Sequence, residues 1–186
     1  LLSKGFHFPK LNCIVVVDSD FSSHGYDLRS AEKNIQLYHQ LSGRAGREAK
    51  ISTIYFQTYT PNDEVLLNIS KNDPHAFLKK ELFLRKEKKL PPFFRLISLI
   101  ISGKDEQSIN KFATMIKSKL PKLNNVNVLG PVLAPIAKLR KKYRYRILIR
   151  CPKNLFIQKY LSLSLDKIKM TSGIKLEVDV DPVNFS

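Results

Sequence analysis

The sequence predicts an α/β protein in two parts, and three observations predict it. Short β-branched runs alternate with stretches whose apolar residues recur at helical spacing; the order of these elements changes partway along the chain; and a double proline, Pro91-Pro92, stands where it changes. A chain of 186 residues holds one good hydrophobic core or two small ones. With 43% hydrophobic and 26% charged residues the composition is that of a soluble globular protein, and no apolar run approaches the roughly 20 residues of a membrane span. The opening residues, Leu1 to Phe6, lack an initiator Met and the layout of a signal peptide, so the chain is expected to begin within a longer protein. Cys13 and Cys151 make neither a disulfide framework nor the ligand set of a structural zinc site, which fits a reducing cytosol.

In the first part, the continuous run from Leu11 to Val17, closed by Asp18, predicts a buried parallel strand covered on both faces. Asp18, Ser19, Asp20 and the following Ser22-Ser23-His24-Gly25 then form a loop beyond its carboxyl end, where open α/β sheets place ligands. From Arg29 to about Leu41, the residues Ala31, Ile35, Leu37, Tyr38 and Leu41 mark a helix, and Ile51 to Gln57 alternates as the next strand of the same sheet. Pro61-Asn62-Asp63-Glu64 opens another helix. Asn72-Asp73-Pro74 opens one more, with Asp73 as N-cap and Pro74 in the first helical position, continued through Phe77, Leu78, Leu82 and Leu84. It ends before Leu90-Pro91-Pro92-Phe93, because the prolines cannot continue a helix.

Beyond that boundary Arg95 to Ile101 reads as a strand, and Asp105 to Leu120 as a helix with Ile109, Phe112, Ala113, Ile116 and Leu120 on one face. Val126 to Val132 and Tyr143 to Arg150 are the next two strands, Asn154 to Ile168 is a second helix, and Ile174 to Val180 closes with strict alternation. The order β-α-β-β-α-β is that of a split β-α-β, ferredoxin-like domain. The domain reading is therefore residues 1–60, a helical linker 61–92, and a basic domain 93–186.

The formal net charge is +16, and residues 86–186 hold 21 Lys+Arg against 7 Asp+Glu, net +14. A footprint so concentrated favours a polyanion, since each neutralised phosphate releases condensed counterions. Its densest stretch is Lys138, Arg140, Lys141, Lys142, Tyr143, Arg144, Tyr145 and Arg146, with Arg150 beyond. Period-two alternation sets Tyr143, Tyr145, Ile147 and Ile149 on one face of a strand and Arg144, Arg146 and Arg150 on the other. The arginine face is expected to track phosphates, and the tyrosines to stack on bases if they lie past the covered part of the sheet. A solvated arginine face with both tyrosines in the core is the bland reading of the same pattern.

The segment Gln40-Leu41-Ser42-Gly43-Arg44-Ala45-Gly46-Arg47 carries the other chemistry. Arg44 and Arg47, three residues apart at a helix end, present forked guanidinium groups to one side, while Gly43 and Gly46 permit close backbone approach. A guanidinium aimed at the charge developing on a transferring phosphoryl group is the arginine-finger device.

This run resembles the last conserved motif of superfamily 2 helicases, Q-x-x-G-R-x-G-R, and Lys4-Gly5-Phe6-His7-Phe8-Pro9 resembles the tail of the motif before it. The whole series is K-G-x-x-F-P, an apolar strand closing in D-x-D, R-S-A-E, then Q-L-x-x-Q-x-x-G-R-A-G-R. With L-P-P-F, Gly130-Pro131 and the final Asp179-Val180-Asp181-Pro182, it resembles the bacterial primosomal replication-restart helicases, the family of primosomal protein N-prime.

The resemblance implies the end of a RecA-like second helicase lobe followed by the family's C-terminal domain. It implies a cytoplasmic, nucleoid-associated bacterial protein that hydrolyses ATP with Mg, unwinds DNA 3′-to-5′ and restarts stalled forks. It places Gln40, Arg44 and Arg47 in catalysis and Gly5, His7 and Gly43 at the periphery of the ATP site; His7 stands where many relatives have Asp. It implies zinc in a cysteine-rich insertion upstream and none here. Its partners are forked and single-stranded DNA, single-strand binding protein and primosome proteins, with no membrane. These 186 residues contain no G-x-x-x-x-G-K-[ST] loop, so they are expected not to turn over ATP by themselves. The alternative is a stand-alone, non-enzymatic nucleic-acid-binding module whose α/β half is scaffold; a phosphate-binding loop and the zinc insertion upstream of Leu1 would separate the two.

Overall fold

In the structure, a computed structural model, residues 11–20, 28–42, 53–71 and 73–182 are described. The chain divides into two compact units, Leu1–Leu82 and Phe83–Ser186.

In the first unit β1 (Cys13–Val16) pairs in parallel with β2 (Thr53–Phe56), with Ile14 opposite Ile54. The helix α1 (Ser30–Ser42) supplies Tyr38 and Leu41 to a cluster with Ile14, joined by Phe56 and by Val65, Leu66 and Ile69 of α2 (Glu64–Lys71). The Tyr38 ring meets Phe56 edge-on, centroids 4.9 Å apart. The parallel pairing and the helical face of Ile35, Tyr38 and Leu41 follow the sequence pattern. Among the described residues the expectation that β1 is covered on both faces is not met: Val15 is 59% and Val17 71% exposed, and the described helices pack on the Ile14 side. The helix α3 (Pro74–Glu87) begins as its cap dictates, with the Asp73 carboxylate accepting the Ala76 N–H at 2.9 Å.

The second unit is a four-stranded antiparallel sheet in the order β4-β5-β3-β6. Its strands are β3 (Phe94–Gly103), β4 (Asn127–Leu139), β5 (Lys142–Pro152) and β6 (Lys175–Val180), with α4 (Glu106–Lys119) after β3 and α5 (Ile157–Leu165) after β5. The molecule is thus mixed α/β, with connectivity β-α-β-β-α-β in this unit. The inward residues of β3 (Ile97, Leu99, Ile101) and of β5 (Ile147, Ile149, Cys151) form one buried cluster with Ile109, Phe112, Ala113 and Ile116 of α4 and Ile157 and Leu161 of α5. Burial of this apolar face is the main force holding the unit together. Asp105 caps α4, accepting from the Ser108 N–H at 2.8 Å.

Two boundaries differ from the sequence reading. The strand β4 runs on to Leu139, through register shifts between Leu129 and Val132 and between Leu133 and Lys138. Those irregularities accommodate Pro131 and Pro135, which lack ladder donors. Gly130 sits at φ 93°, and a Cβ there would lie 2.6 Å from the Arg146 carbonyl oxygen, so only glycine fits. The helix α5 is shorter than read: the chain enters through a tight Ile157 N–H to Leu155 carbonyl bond, and the C-cap is Asp166.

Candidate nucleic-acid interface

In the first unit, Gln40 lies exposed in the last turn of α1. Gly5, His7, Gly43, Arg44 and Arg47 lie outside the described residues. Of the loop beyond β1, Asp18 holds φ 53°, and the Ser19 hydroxyl donates to the Gln57 carbonyl at 2.8 Å. Asp20 accepts from the Thr58 and Thr60 hydroxyls and the Tyr59 N–H, each at 2.6 Å, tying the end of β1 to the segment after β2. The Thr58 bond, then those of Thr60 and Tyr59, hold its pKa below the usual carboxylate range. Beside it a cleft of about 160 Å³ is lined by Ser19, Asp20, Ser30, Asn34, Tyr38 and Asp63. These loops lie beyond the carboxyl ends of two parallel strands, as ligand-bearing loops do in α/β sheets.

In the second unit the strand register sets the faces. Arg144, Arg146 and Arg150 stand opposite Ser102, Ile100 and Leu96 of β3, whereas Tyr143 and Tyr145 stand opposite Gly103 and Ile101. Residues directly opposite in antiparallel strands share a face, so arginines and tyrosines occupy opposite sides of the sheet. The tyrosines lie on the helix side, packed against the buried cluster. The Tyr145 hydroxyl donates to Glu106 at 3.2 Å, and desolvation, with that bond, raises its pKa. Lys138 lies over the Tyr143 ring, 4.6 Å from its centroid.

The arginine side is not uniformly open. Leu96 and Ser98 are buried, and the Arg150 guanidinium donates to the Lys88 carbonyl at 2.9 Å while its Nε is buried without a partner. Arg146 is partly buried; desolvation, then the neighbouring Arg144 charge, pushes its pKa down, yet a guanidinium stays cationic near neutrality. One strand beyond β3, Glu177 of β6 lies in the same cross-strand row as Arg146 and Ile100, and Asp179 lies in the row of Ser98. Glu177 and Asp179 therefore border this face on the β6 side, Glu177 paired with Lys175. Lys138, Arg140, Lys141 and Lys142 are all exposed at the end where β4 turns into β5.

Sequence reasoning missed the companions that folding brings there. A cleft of about 370 Å³ is bounded by Lys104, Asp105, Ser108, Lys142, Ser172 and Ile174. Away from that end, Lys117 in the last turn of α4 donates to the Gly130 carbonyl. No periodicity signals these contacts, because each joins residues from different elements. Among the described residues no group of His, Cys, Asp and Glu is placed to hold a metal, and no helix is long and apolar enough to cross a membrane.

Residues 86–183 match the family described as Primosomal protein N C-terminal domain. Along its whole length the chain is similar to proteins named Replication restart protein PriA: 40% identical over 185 residues to that of Rickettsia felis, 34% over 189 to that of a Synechocystis species, and 33% over 191 to that of Haemophilus influenzae. It spans 28%, 22% and 26% of the length of these relatives.

Proposed function

We propose, from the premise that this chain belongs to the PriA family and carries the family's C-terminal domain, that it is the part of an ATP-dependent, 3′-to-5′ DNA helicase that grips DNA and completes the ATP site. The full-length protein is then an ATP hydrolase of the bacterial cytoplasm, associated with the nucleoid, that restarts stalled forks and assembles the primosome. Residues 1–60 are the end of a RecA-like second lobe, 61–92 a helical linker, and 93–186 a ferredoxin-like domain. The parallel β1–β2 pair around α1 supports the first assignment, and the strand order β4-β5-β3-β6 with its β-α-β-β-α-β connectivity supports the last.

Bound ATP with Mg would supply the transferable phosphoryl group on which Arg44 and Arg47 act. Those arginines stabilise charge that appears only as the phosphoryl transfers, Gln40 at the end of α1 helps orient them, and Gly5, His7 and Gly43 border the nucleotide. In the full-length protein, zinc belongs to a cysteine-rich insertion upstream. The basic end of the second unit, Lys138, Arg140, Lys141, Lys142, Arg144 and Arg146, takes the DNA backbone; Arg150 is partly committed to the Lys88 carbonyl and contributes chiefly field. Tyr143 and Tyr145 pack on the helix side, so base stacking is limited to their exposed edges. Single-strand binding protein and primosome proteins are the protein partners.

The observation that carries this reading is the end-to-end match to PriA relatives. Its test is ATP turnover by the full-length protein with and without forked DNA. Strong stimulation by the fork is expected; an unstimulated rate with no unwinding contradicts it and favours the binding-module alternative.

A further inference from the structure

The β4–β5 hairpin turns through Arg140 and Lys141 alone, because Leu139 already pairs with Lys142. Both turn residues hold positive φ, 49° and 64°. A two-residue hairpin turn of type I′ requires this conformation at both positions, and Asn-Gly, Asp-Gly or Gly-Gly adopt it with least strain. In the left-handed region the Cβ of any L residue crowds a backbone carbonyl oxygen, and here two residues do so in succession. Packing does not explain the choice. Residues 138–142 are all exposed, and only Lys138 among them touches a ring beneath it. Strain that the fold does not need, held by two adjacent cations at the most basic end of the unit, marks a contact surface.

We propose that the Arg140-Lys141 tip is a prong that contacts the phosphates of double-stranded DNA. The inference rests on the nucleic-acid reading above and adds which part of the surface acts and on which form of DNA. Single strands are held by cations together with exposed rings on which bases stack. The tip offers no such platform, since Tyr143 is half-buried beneath Lys138. Cations without rings suit a duplex, whose bases are already stacked inward and whose phosphates line the grooves. The end of a two-stranded ribbon is also narrow enough for the major groove. Lys104 and Lys142, beside the neighbouring cleft, extend the positive charge along the flank of the tip.

The test compares the 186-residue chain with Arg140→Asn/Lys141→Gly, which removes both charges and the strain, and with Arg140→Gln/Lys141→Gln, which removes the charges alone. Each is titrated with a labelled blunt duplex at several salt concentrations, and its thermal unfolding is recorded. Both variants should lose affinity, with a salt slope lower by about 1.8, from two phosphates at about 0.9 each. Only the Asn-Gly variant should unfold higher, by about 2–4 °C. Parental affinity and slope in both variants would overturn the prong while leaving the wider reading intact, and an unchanged unfolding midpoint in the Asn-Gly variant would overturn the strain argument. Failure of the unaltered chain to bind any DNA, single or duplex, would overturn the underlying reading instead.

Discussion

The Tyr145 hydroxyl donates to Glu106, in the first turn of α4, from the opposite side of the sheet to the one that carries Arg144 and Arg146. One strand thus has two jobs: its odd positions fasten the sheet to α4 and the core, and its even positions, apart from Leu148 and Pro152, carry charge. The two jobs separate by mutation. Tyr145→Phe should lower stability by up to about 1 kcal/mol, the net worth of one partly solvated hydrogen bond, while the DNA salt slope stays that of the parent. Chemical denaturation and a DNA titration on the same sample check both halves.

Ile147 and Ile149 are completely or almost completely buried on the helix side of β5. Either one changed to Ala should cost about 2–5 kcal/mol, because the cavity left in a well-packed cluster collapses only partly. Urea unfolding followed by circular dichroism measures it. A loss under about 1 kcal/mol in both variants would mean that the cluster around α4 and α5 does not hold the unit together.

Asp105 and Asp20 give the protein an acid-side dependence with a definite sign. The Ser108 hydroxyl and then its N–H hold the Asp105 carboxyl below its ordinary value of 3.8, and the Thr58, Thr60 and Tyr59 donors do the same for Asp20. A carboxylate whose folded pKa is depressed contributes fully above its unfolded pKa, and the contribution fades as pH falls through the folded value. The melting temperature should therefore drop as pH falls below about 3.8, and in Asp105→Asn, which keeps a capping oxygen without a charge to titrate, that drop should be shallower. Parallel pH profiles for the two proteins would show that the Asp105 cap does not titrate as its hydrogen bonds require.

Much of this fold is written locally. Asp73-Pro74 and Asp105 announce helix starts because capping needs only a side chain and an N–H a turn away, and both caps form where those residues stand. The division of β5 into a tyrosine face and an arginine face is likewise a matter of period alone. The length of β4 beyond Val132 was hidden, since Pro135 reads as a breaker until a partner strand absorbs it within a register shift. The hold of Lys88 on Arg150 spans 62 positions and leaves no local trace. The Arg140-Lys141 turn was also illegible, because neither residue is one that a hairpin turn favours.

Arg47 gives the sharpest test of the motor reading. In the full-length protein, Arg47→Ala should leave DNA binding nearly intact and lower ATP turnover by about 10³–10⁵. A fall of less than about tenfold, worth about 1.4 kcal/mol, would remove the finger assignment. The 186 residues by themselves should show no turnover above a buffer control.

The cationic side of β5 is held to take the DNA backbone, and a salt titration of labelled single-stranded DNA against the chain and Arg144→Ala/Arg146→Ala tests this most directly. The double variant, shown by circular dichroism to keep its fold, should bind more weakly with a slope lower by about 1.4, from two single-strand phosphates at about 0.7 each; Lys4→Ala/Lys10→Ala should change neither. Equal affinity and equal slope in the arginine variant and the parent would contradict the claim and leave Lys142–Pro152 an ordinary strand of the sheet.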